Sequence, residues 1–334
     1  MKNVFIIHSH TVFLTAMGVL EYEKISYSDV LFIFTREYKN TLFRIDVTTL
    51  DYSVEFDAIE KADFSNKRIR EYYITSVDSF LENNVATEFK LYVPHMAMKM
   101  CQIIYTSHLC VSVSYLQEGA ESLKGSFINK LSIYNRLRNY ISNNYIHKTR
   151  RVWRTLGWYQ PNTLSKQKEI HSYAINSIFF KDLPSVNHII KWPSAPIKVE
   201  YGEKPVFFIC DCYAAYGVIS LEYYIDYFNK IIEKYAGVNN WIKFHPAQKK
   251  EEKQLIENAF KKVGKIVHVC DNNIPMEIVI SSLRNLTFVG SCSSILKYAR
   301  DYGHKVYPND LLFIHSKSWL KYAKMTKHEY MQKI

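Results

Sequence analysis

Residues 206–246 of this 334-residue chain read VFFICDCYAAYGVISLEYYIDYFNKIIEKYAGVNNWIKFHP. The apolar run at 206–210 has the length and the aromatic and β-branched content of a buried strand. Residues 221–235 follow with the spacing of an amphipathic helix, and residues 240–244 predict a second strand. Two strands joined through a helix in this way predict a parallel βαβ unit.

The same alternation of short apolar runs and helical patterns continues on both sides of this unit. Towards the carboxyl end it predicts helices at 251–263, 276–283 and 293–302 and strands at 266–270, 286–289 and 305–307. In the first half it predicts strands at 3–7, 30–34, 89–93 and 109–115 and a helix at 96–105. The fold class is therefore predicted to be α/β, with helices packed around parallel sheets.

The length of the chain allows two domains, each with its own core. The segment Trp192-Pro193-Ser194-Ala195-Pro196 has two prolines and small residues, which disfavour helix and strand. We therefore predict an N-terminal Rossmann-like lobe at 1–195, with a basic, aromatic and helical segment near 124–161, and a C-terminal Rossmann-like lobe at 196–334. Two such lobes around a cleft are typical of the GT-B architecture, with ligands beyond the carboxyl ends of the strands.

Composition narrows the class of protein. Hydrophobic residues make up 48% of the chain and charged residues 22%, as in ordinary globular proteins. The apolar run at the start is too short for a signal peptide, and no window reaches the length of a membrane span, which predicts a cytoplasmic protein. The six cysteines lack paired spacing, so they predict reduced thiols and no zinc site. The net charge of +11 fits nucleic acid, an anionic membrane surface or an anionic substrate.

The segment Lys243-Phe244-His245-Pro246 lies at the carboxyl end of a predicted strand. Pro246 ends the strand, so that His245 is expected to project towards the cleft. A histidine can donate a hydrogen bond or a proton to a phosphate oxygen, and Lys243 adds a positive charge. The alternative is that His245 only caps the strand end and that Lys243 is a surface residue.

A second motif, Gly290-Ser291-Cys292-Ser293-Ser294, joins a predicted strand to a predicted helix. We predict an anion site at the start of this helix, formed by the hydroxyl groups of Ser293 and Ser294 and by the free backbone amides after Gly290. Ordinary capping explains one serine equally well. Glu277 begins the preceding helix after Pro275, which is normal for a helix start, although beside a nucleotide its carboxylate can accept hydrogen bonds from ribose hydroxyls.

Two loops of the first lobe carry candidate residues. Glu118 and Gly119 lie in the turn that follows the strand predicted at 109–115, and Gly119 is a candidate contact for an acceptor or a sialyl group. Burial in a cleft would raise the pKa of Glu118 towards that of a general base. An exposed turn glutamate is an equally good interpretation. His8, Ser9 and His10 follow the first strand and can contact an acceptor or a sugar, although their distance from acidic residues in the sequence argues against a metal site.

These motifs occur in an order that resembles the bacterial GT-B sialyltransferases, which build sialylated lipooligosaccharide, sialoside caps and polysialic acid capsules. Those families carry an acid-acid-glycine motif, a His-Pro motif and a Ser-Ser or Ser-Thr motif. The first motif departs here, because Gln117 replaces the first acid. The resemblance implies the following roles: Glu118 as general base, His245 on the donor phosphate, Lys243 near the cytidine, Glu277 on the ribose, and Ser293 with Ser294 on the phosphate.

The resemblance further implies an inverting transferase that moves Neu5Ac from CMP-sialic acid to a hydroxyl of lipooligosaccharide, O-antigen or capsule. Transferases of Kdo, pseudaminic acid or legionaminic acid are the alternative. The chain lacks the Asp-x-Asp metal motif, so we predict no divalent metal and no cofactor. The expected partners are the CMP-sugar and a lipid-linked glycan acceptor, rather than nucleic acid.

The basic composition also allows peripheral contact with the inner membrane. Lysines near the carboxyl end, with Trp319 and Tyr322, predict either a basic aromatic surface helix or a merely solvated face; the lysines are Lys317, Lys321, Lys324 and Lys327. A non-catalytic basic module that uses residues 148–154 is one competing hypothesis. A nucleotide-sugar epimerase or a UDP-sugar transferase on the same fold is another.

Overall fold

A computed structural model of the chain describes residues 1–40, 43, 45–119, 133–141, 151–152, 170–181, 183, 185–195, 197–271, 273–291 and 293–325. They form two compact units, Met1–Pro193 and Ser194–Ile334. Each unit has a parallel sheet, as the α/β prediction required. Most of the basic segment at 124–161 lies outside the described residues.

The first unit contains a seven-stranded sheet in the order β3-β2-β1-β4-β5-β6-β7. Its strands are β1 (Lys2–Ile7), β2 (Val30–Phe34), β3 (Thr48–Asp51), β4 (Phe89–Val93), β5 (Cys110–Leu116), β6 (His171–Ala174) and β7 (Val186–Ile189). Its helices are α1 (His10–Tyr22), α2 (Ser53–Lys61), α3 (Lys67–Asn84), α4 (Lys99–Tyr105) and α5 (Ile133–Ile141). Every neighbouring pair of strands is parallel.

The second unit contains a five-stranded parallel sheet in the order β10-β9-β8-β11-β12. Its strands are β8 (Val206–Ile209), β9 (Asn240–Lys243), β10 (Val267–Val269), β11 (Thr287–Gly290) and β12 (Lys305–Pro308). Its helices are α6 (Leu221–Tyr235), α7 (Lys250–Lys262), α8 (Met276–Ser282), α9 (Ser294–Asp301) and α10 (Lys317–Met325). Both sheets thus begin with the Rossmann order 3-2-1-4-5.

Aromatic side chains fill the two cores. In the first sheet Phe5 stacks on Tyr92 with ring centroids 4.2 Å apart and meets the edge of Phe32 at 5.4 Å. In the second unit Trp319 is fully buried and contacts Tyr213 and Phe313. Trp319 therefore anchors α10 in the core, which corrects the prediction that it forms part of an aromatic surface, whereas Lys317 and Lys321 are exposed.

One helix begins later than its pattern predicted. Helix α4 starts at Lys99 instead of residue 96. The reason is a turn after β4, in which Nδ1 of His95 accepts a hydrogen bond from the backbone N–H of Ala97 at 3.1 Å. That bond satisfies an amide outside the helix. Among the described residues, no helix combines the length and the apolar character needed to cross a bilayer.

Candidate active site

In the first unit, three polar side chains meet where three neighbouring strands end. His8 follows β1, His95 lies two residues after β4, and Glu118 lies two residues after β5. Because β1, β4 and β5 are adjacent, their carboxyl ends bring these residues together, at the point where the strand order reverses. Nε2 of His8 lies 3.0 Å from Oε1 of Glu118, and Nε2 of His95 lies 3.6 Å from Oε2 of the same carboxylate.

This arrangement decides between the two interpretations of Glu118 and corrects the pKa expected for it. Glu118 is not an exposed turn residue, since its side chain is only 12% accessible. Burial raises the pKa of Glu118, but the hydrogen bond from His8 and the charges of His95, His8 and Arg36 outweigh burial, so the pKa lies below its usual value. The predicted rise is therefore wrong, and the carboxylate is ionised at neutral pH.

His8 was expected to be remote from acidic residues, and this expectation is also wrong. The distance in sequence hides the contact with Glu118, because strand pairing brings residue 118 beside residue 8. The His8 side chain is 4% accessible. Ser9 caps α1 by accepting a hydrogen bond from the N–H of Val12 at 3.3 Å, and the ring of His10 meets Tyr38 edge-on at 5.0 Å. Substrate contacts for these three residues remain predictions.

His95 is a site residue that the sequence analysis missed. A histidine two residues after the strand at 89–93, at the same edge as His8 and Glu118, was the signal available. Burial lowers the pKa of His95 to about 4, against the opposing effect of Glu118, so the ring is neutral at neutral pH. Since Nδ1 accepts the Ala97 N–H, the proton of the neutral ring lies on Nε2, the nitrogen that faces Glu118.

Within the described residues, His8, His95 and Glu118 also form a group whose possible ligand atoms lie within 4.8 Å of one another. Two imidazoles and a carboxylate are a donor set that binds divalent transition metals. A metal on Nε2 of His95 would have to displace the proton that the Ala97 hydrogen bond keeps there. The absence of a metal requirement stays a prediction.

Gln117 and Gly119 flank Glu118 and fix its position. The fully buried Gln117 side chain accepts a hydrogen bond through Oε1 from the N–H of Ile175 at 2.9 Å, after β6. A carboxylate oxygen can accept the same bond, so an amide in place of the motif's first acid keeps the contact and removes a negative charge beside Glu118. Gly119 has a φ of 137°, which favours glycine in this turn.

In the second unit, His245 lies in a turn after β9 that repeats the geometry of His95. Nδ1 of the His245 ring accepts a hydrogen bond from the backbone N–H of Ala247 at 3.1 Å, and the backbone N–H of His245 donates to Oε1 of Gln248 at 2.8 Å. Pro246 occupies the middle of this turn. Burial lowers the pKa of His245, so a neutral ring with its proton on Nε2 is favoured at neutral pH. The capping role is therefore present, and Nε2–H remains a donor for a ligand.

Lys243 and Glu277 interact electrostatically. Burial lowers the pKa of Lys243, whereas the charges of Cys270, Glu277 and Asp271 act in the opposite direction. Lys243 is the last residue of β9, and Glu277 lies in the first turn of α8. Strand end and helix start thus place a cation and a carboxylate of the predicted nucleotide site near each other.

Ser293 and Ser294 lie at the start of α9, shortly after β11 ends. Ser293 is the N-cap residue, and its hydroxyl accepts a hydrogen bond from the N–H of Ile295 at 3.2 Å. Ser294 is the first helical residue. The capping alternative is therefore real for Ser293, while the helix start still offers amides to an anion.

Gly290 ends β11 where two strands approach closely. A Cβ atom at this position would lie 2.8 Å from the carbonyl oxygen of Ile209 on β8. We expect Gly290→Ala to lower the free energy of unfolding by about 1–3 kcal/mol, because backbone must move to relieve the clash. Urea unfolding would measure this loss. Gly237→Ala is the control, since its added Cβ meets only a Val206 methyl group at 3.4 Å; equal losses in both variants would contradict the prediction.

A buried carboxylate lies beneath the serine loop. Asp211 follows β8, accepts a hydrogen bond from the Ser291 hydroxyl through Oδ2 and accepts the Tyr213 N–H through Oδ1 at 3.0 Å. Tyr224 exchanges hydrogen bonds with the backbone of Asp211 at 3.1 Å. Burial raises the pKa of Asp211 to about 6, although the hydrogen bonds from Ser291, Tyr213 and Tyr224 oppose this. Asp211 was not among the residues predicted from the sequence.

This pKa predicts a pH dependence of stability. The folded state holds the Asp211 proton more tightly than the unfolded chain, whose aspartates titrate near about 3.9. The contribution of Asp211 to the free energy of unfolding is therefore full at low pH and falls by at most about 3 kcal/mol as pH rises to about 6. Urea unfolding across this range should show the fall in the wild type but not in Asp211→Asn. Equal pH slopes in both proteins would contradict the assignment.

A known protein family matches most of the chain, including predicted site residues of both units. The family described as alpha-2,8-polysialyltransferase (POLYST) matches residues 49–305, which is more than three quarters of the chain. The matched region contains Glu118, Lys243 and His245, and it also contains Glu277, Gly290, Ser293 and Ser294. No curated protein sequence matches the chain significantly.

Solved structures with a similar course of the chain are distant in sequence. UDP-GlcNAc 2-epimerase from Methanocaldococcus jannaschii has 10% identity and a TM-score of 0.46, over 98% of this chain and 93% of the epimerase. The Neisseria meningitidis enzyme bound to UDP-GlcNAc has 12% identity and a TM-score of 0.48, over 98% and 92%. Spinosyn forosaminyltransferase SpnP has 11% identity and a TM-score of 0.49, over 92% and 81%. These similarities have no bearing on activity.

Proposed function

Because the chain belongs to the alpha-2,8-polysialyltransferase family, it is a glycosyltransferase of the sialyltransferase type, and we propose that it transfers Neu5Ac from CMP-Neu5Ac with inversion. The proposed acceptor is the 8-hydroxyl of a terminal sialic acid on a surface glycan such as capsule, lipooligosaccharide or O-antigen. The observation that carries the proposal is the family match across residues 49–305, which includes every predicted catalytic and donor-binding residue. CMP-activated Kdo, pseudaminic acid and legionaminic acid are the alternative donors.

Glu118 is the proposed general base. The acceptor oxygen forms a bond to the anomeric carbon while the bond between that carbon and the CMP phosphate oxygen breaks. The hydroxyl proton passes to the Glu118 carboxylate, and CMP leaves with the bonding electrons. Because the pKa of Glu118 is low, the carboxylate is ionised and ready to accept a proton. A weak base suffices, since the hydroxyl becomes more acidic as its oxygen bonds to carbon.

The second unit supplies the proposed donor contacts. Nε2–H of His245 donates to the phosphate, the amides at the start of α9 and the hydroxyls of Ser293 and Ser294 bind its oxygens, and Lys243 supplies positive charge near the cytidine. Glu277 accepts hydrogen bonds from the ribose. These groups stabilise one departing phosphate, so the proposed reaction requires no divalent metal and no cofactor.

The proposed setting is the cytoplasmic face of the inner membrane, with a lipid-linked acceptor. Lys317 and Lys321 are exposed on α10 and offer a basic surface to anionic lipids. The side chains of Lys324 and Lys327 and most of residues 148–154 lie outside the described part of the chain. Nucleic acid is not a proposed partner.

Mass spectrometry of reaction products tests the proposal. The protein would be incubated in EDTA with CMP-Neu5Ac, CMP-Kdo or CMP-pseudaminic acid and with oligosialic acid or galactoside acceptors. We expect Neu5Ac addition to oligosialic acid and stoichiometric release of CMP. Transfer only from another CMP-sugar would replace the donor, transfer only to galactosides would replace the acceptor, and the absence of both transfer and CMP release would overturn the proposal.

A further inference from the structure

We propose that His95 is a positioning residue for Glu118 that keeps its Nε2 proton throughout the reaction and orients the carboxylate towards the acceptor. This inference rests on the proposed function, in which Glu118 is the general base. Three features of the structure support it: the fixed tautomer of His95, its place beside Oε2 of Glu118, and the presence of a second imidazole on the other carboxylate oxygen.

The tautomer of His95 follows from a backbone contact. The Ala97 N–H can only donate, so Nδ1 of His95, 3.1 Å away, must accept. The proton of the neutral ring is consequently on Nε2 and points to the side of Glu118. The ring is almost fully buried, with 3% of the residue accessible, so this orientation is held by packing as well as by the hydrogen bond.

The two imidazoles face different oxygens of one carboxylate. His8 lies 3.0 Å from Oε1, and His95 lies 3.6 Å from Oε2. The second distance exceeds that of a hydrogen bond, so the free protein has an electrostatic contact there that can shorten when substrate binds. Within the described part of the chain, Arg36 and Cys101 also interact electrostatically with members of this cluster. A carboxylate that is contacted at Oε1 and faced at Oε2 by a second imidazole loses little freedom when the acceptor hydroxyl arrives.

His95 neither gains nor loses a proton in the proposed reaction. The acceptor hydroxyl loses its proton to Glu118, and no bond to His95 forms or breaks. His95 thus acts through Glu118, and its removal should misplace the base without changing the binding of CMP-Neu5Ac. A misplaced catalytic group lowers the rate by about tenfold to a hundredfold.

Two variants separate the contact of His95 with Glu118 from the hydrogen bond that His95 accepts in its turn. In His95→Asn the side-chain oxygen can take the place of Nδ1 and accept the Ala97 N–H, while the donor to Glu118 is lost. In His95→Gln the amide nitrogen reaches the position of Nε2 and retains the donor. We expect His95→Asn to lower kcat about tenfold to a hundredfold with unchanged KM for CMP-Neu5Ac, and His95→Gln to recover most of that loss.

Coupling to Glu118 provides the decisive comparison. Glu118→Gln combined with His95→Asn should be no slower than Glu118→Gln alone, because a residue that acts through a missing base has no further effect. Full kcat in His95→Asn, no recovery in His95→Gln, or additive losses in the double variant would each overturn the proposal. If Glu118→Gln itself keeps full kcat, the proposed base fails and the proposal for His95 falls with it.

Two further measurements hold even for a variant that folds poorly or an assay that shows no transfer. In wild-type protein with ¹⁵N-labelled histidine, the His95 signal, assigned by its loss in His95→Asn or His95→Gln, should show a protonated Nε2 and an unprotonated Nδ1. A protonated Nδ1 would overturn the proposal. So would tight binding of Zn²⁺ that is lost in His95→Asn, which would make the cluster a metal site.

Discussion

Glu118→Gln is expected to lower kcat for sialyl transfer by about 10²–10⁴-fold, the contribution of a general base. Glutamine has the same shape as glutamate, and its amide can still contact His8 and His95, but it cannot accept the proton of the acceptor hydroxyl. The affinity for CMP should not change, because the proposed donor contacts lie in the second unit. Initial rates at saturating CMP-Neu5Ac and calorimetric titration with CMP would measure the two quantities.

An exposed glutamate of the same unit provides the matched control. Glu82 lies on α3 with its side chain in solvent, so Glu82→Gln changes the net charge by the same amount and should leave kcat unaltered. More than about a tenth of wild-type kcat in Glu118→Gln would show that another group accepts the proton. The pH profile gives a further test. Since the pKa of Glu118 is lowered, kcat/KM should fall on acidification only at a pH below the usual titration range of glutamate.

His245→Asn is expected to lower kcat by about 10²–10³-fold, the effect of removing one donor to a developing negative charge. The asparagine oxygen can take the place of Nδ1 and accept the hydrogen bond that the N–H of Ala247 donates in this turn. The turn after β9 is thus retained, whereas the Nε2–H that the proposal directs at the phosphate is lost. Steady-state kinetics and the melting temperature would report the two properties separately.

Comparison with His245→Ala distinguishes ligand binding from capping. If His245 only shapes the turn, His245→Asn should resemble wild type and His245→Ala alone should be impaired. If Nε2–H stabilises the phosphate, both variants should be slow, and His245→Gln should be the fastest of the three. His268→Asn is a control in the same sheet, because His268 is exposed on β10 and packs beside Trp241.

The sequence predicted elements with long apolar runs or a clear helical period more accurately than short or polar elements. Strands β2 and β4 and helix α6 have the predicted bounds, because continuous apolar runs and a clear helical period leave little ambiguity. Strands β3, β6 and β7 were not predicted. The strand β3 is largely exposed at a sheet edge and β6 is short and begins with His171 and Ser172, so neither has a strong hydrophobic signal.

For the candidate site, the sequence predicted positions but not surroundings. Glu118 and His245 were placed at strand ends, where the structure has them. The neighbours of Glu118 depend on the order of β1, β4 and β5, which no local pattern specifies, so the sequence placed a histidine near this edge without specifying its contact with residues 8 and 118. The wrong direction of the Glu118 pKa follows from this gap: burial was foreseen, and the two imidazoles that outweigh it were not.

The parallel pairing of β1 with β4 joins Lys2 to Phe89, and such distant partners have a consequence for how the protein is made. Parallel strands cannot meet through hairpins, so the first sheet forms through slow, long-range closure. During translation, domains fold as units from the amino end. The cluster around Glu118 can therefore assemble while residues 194–334 are still being synthesised. A nascent chain would then carry the folded cluster around Glu118 before it carries His245, so the proposed transfer would have to wait for residues of the second unit that are made later.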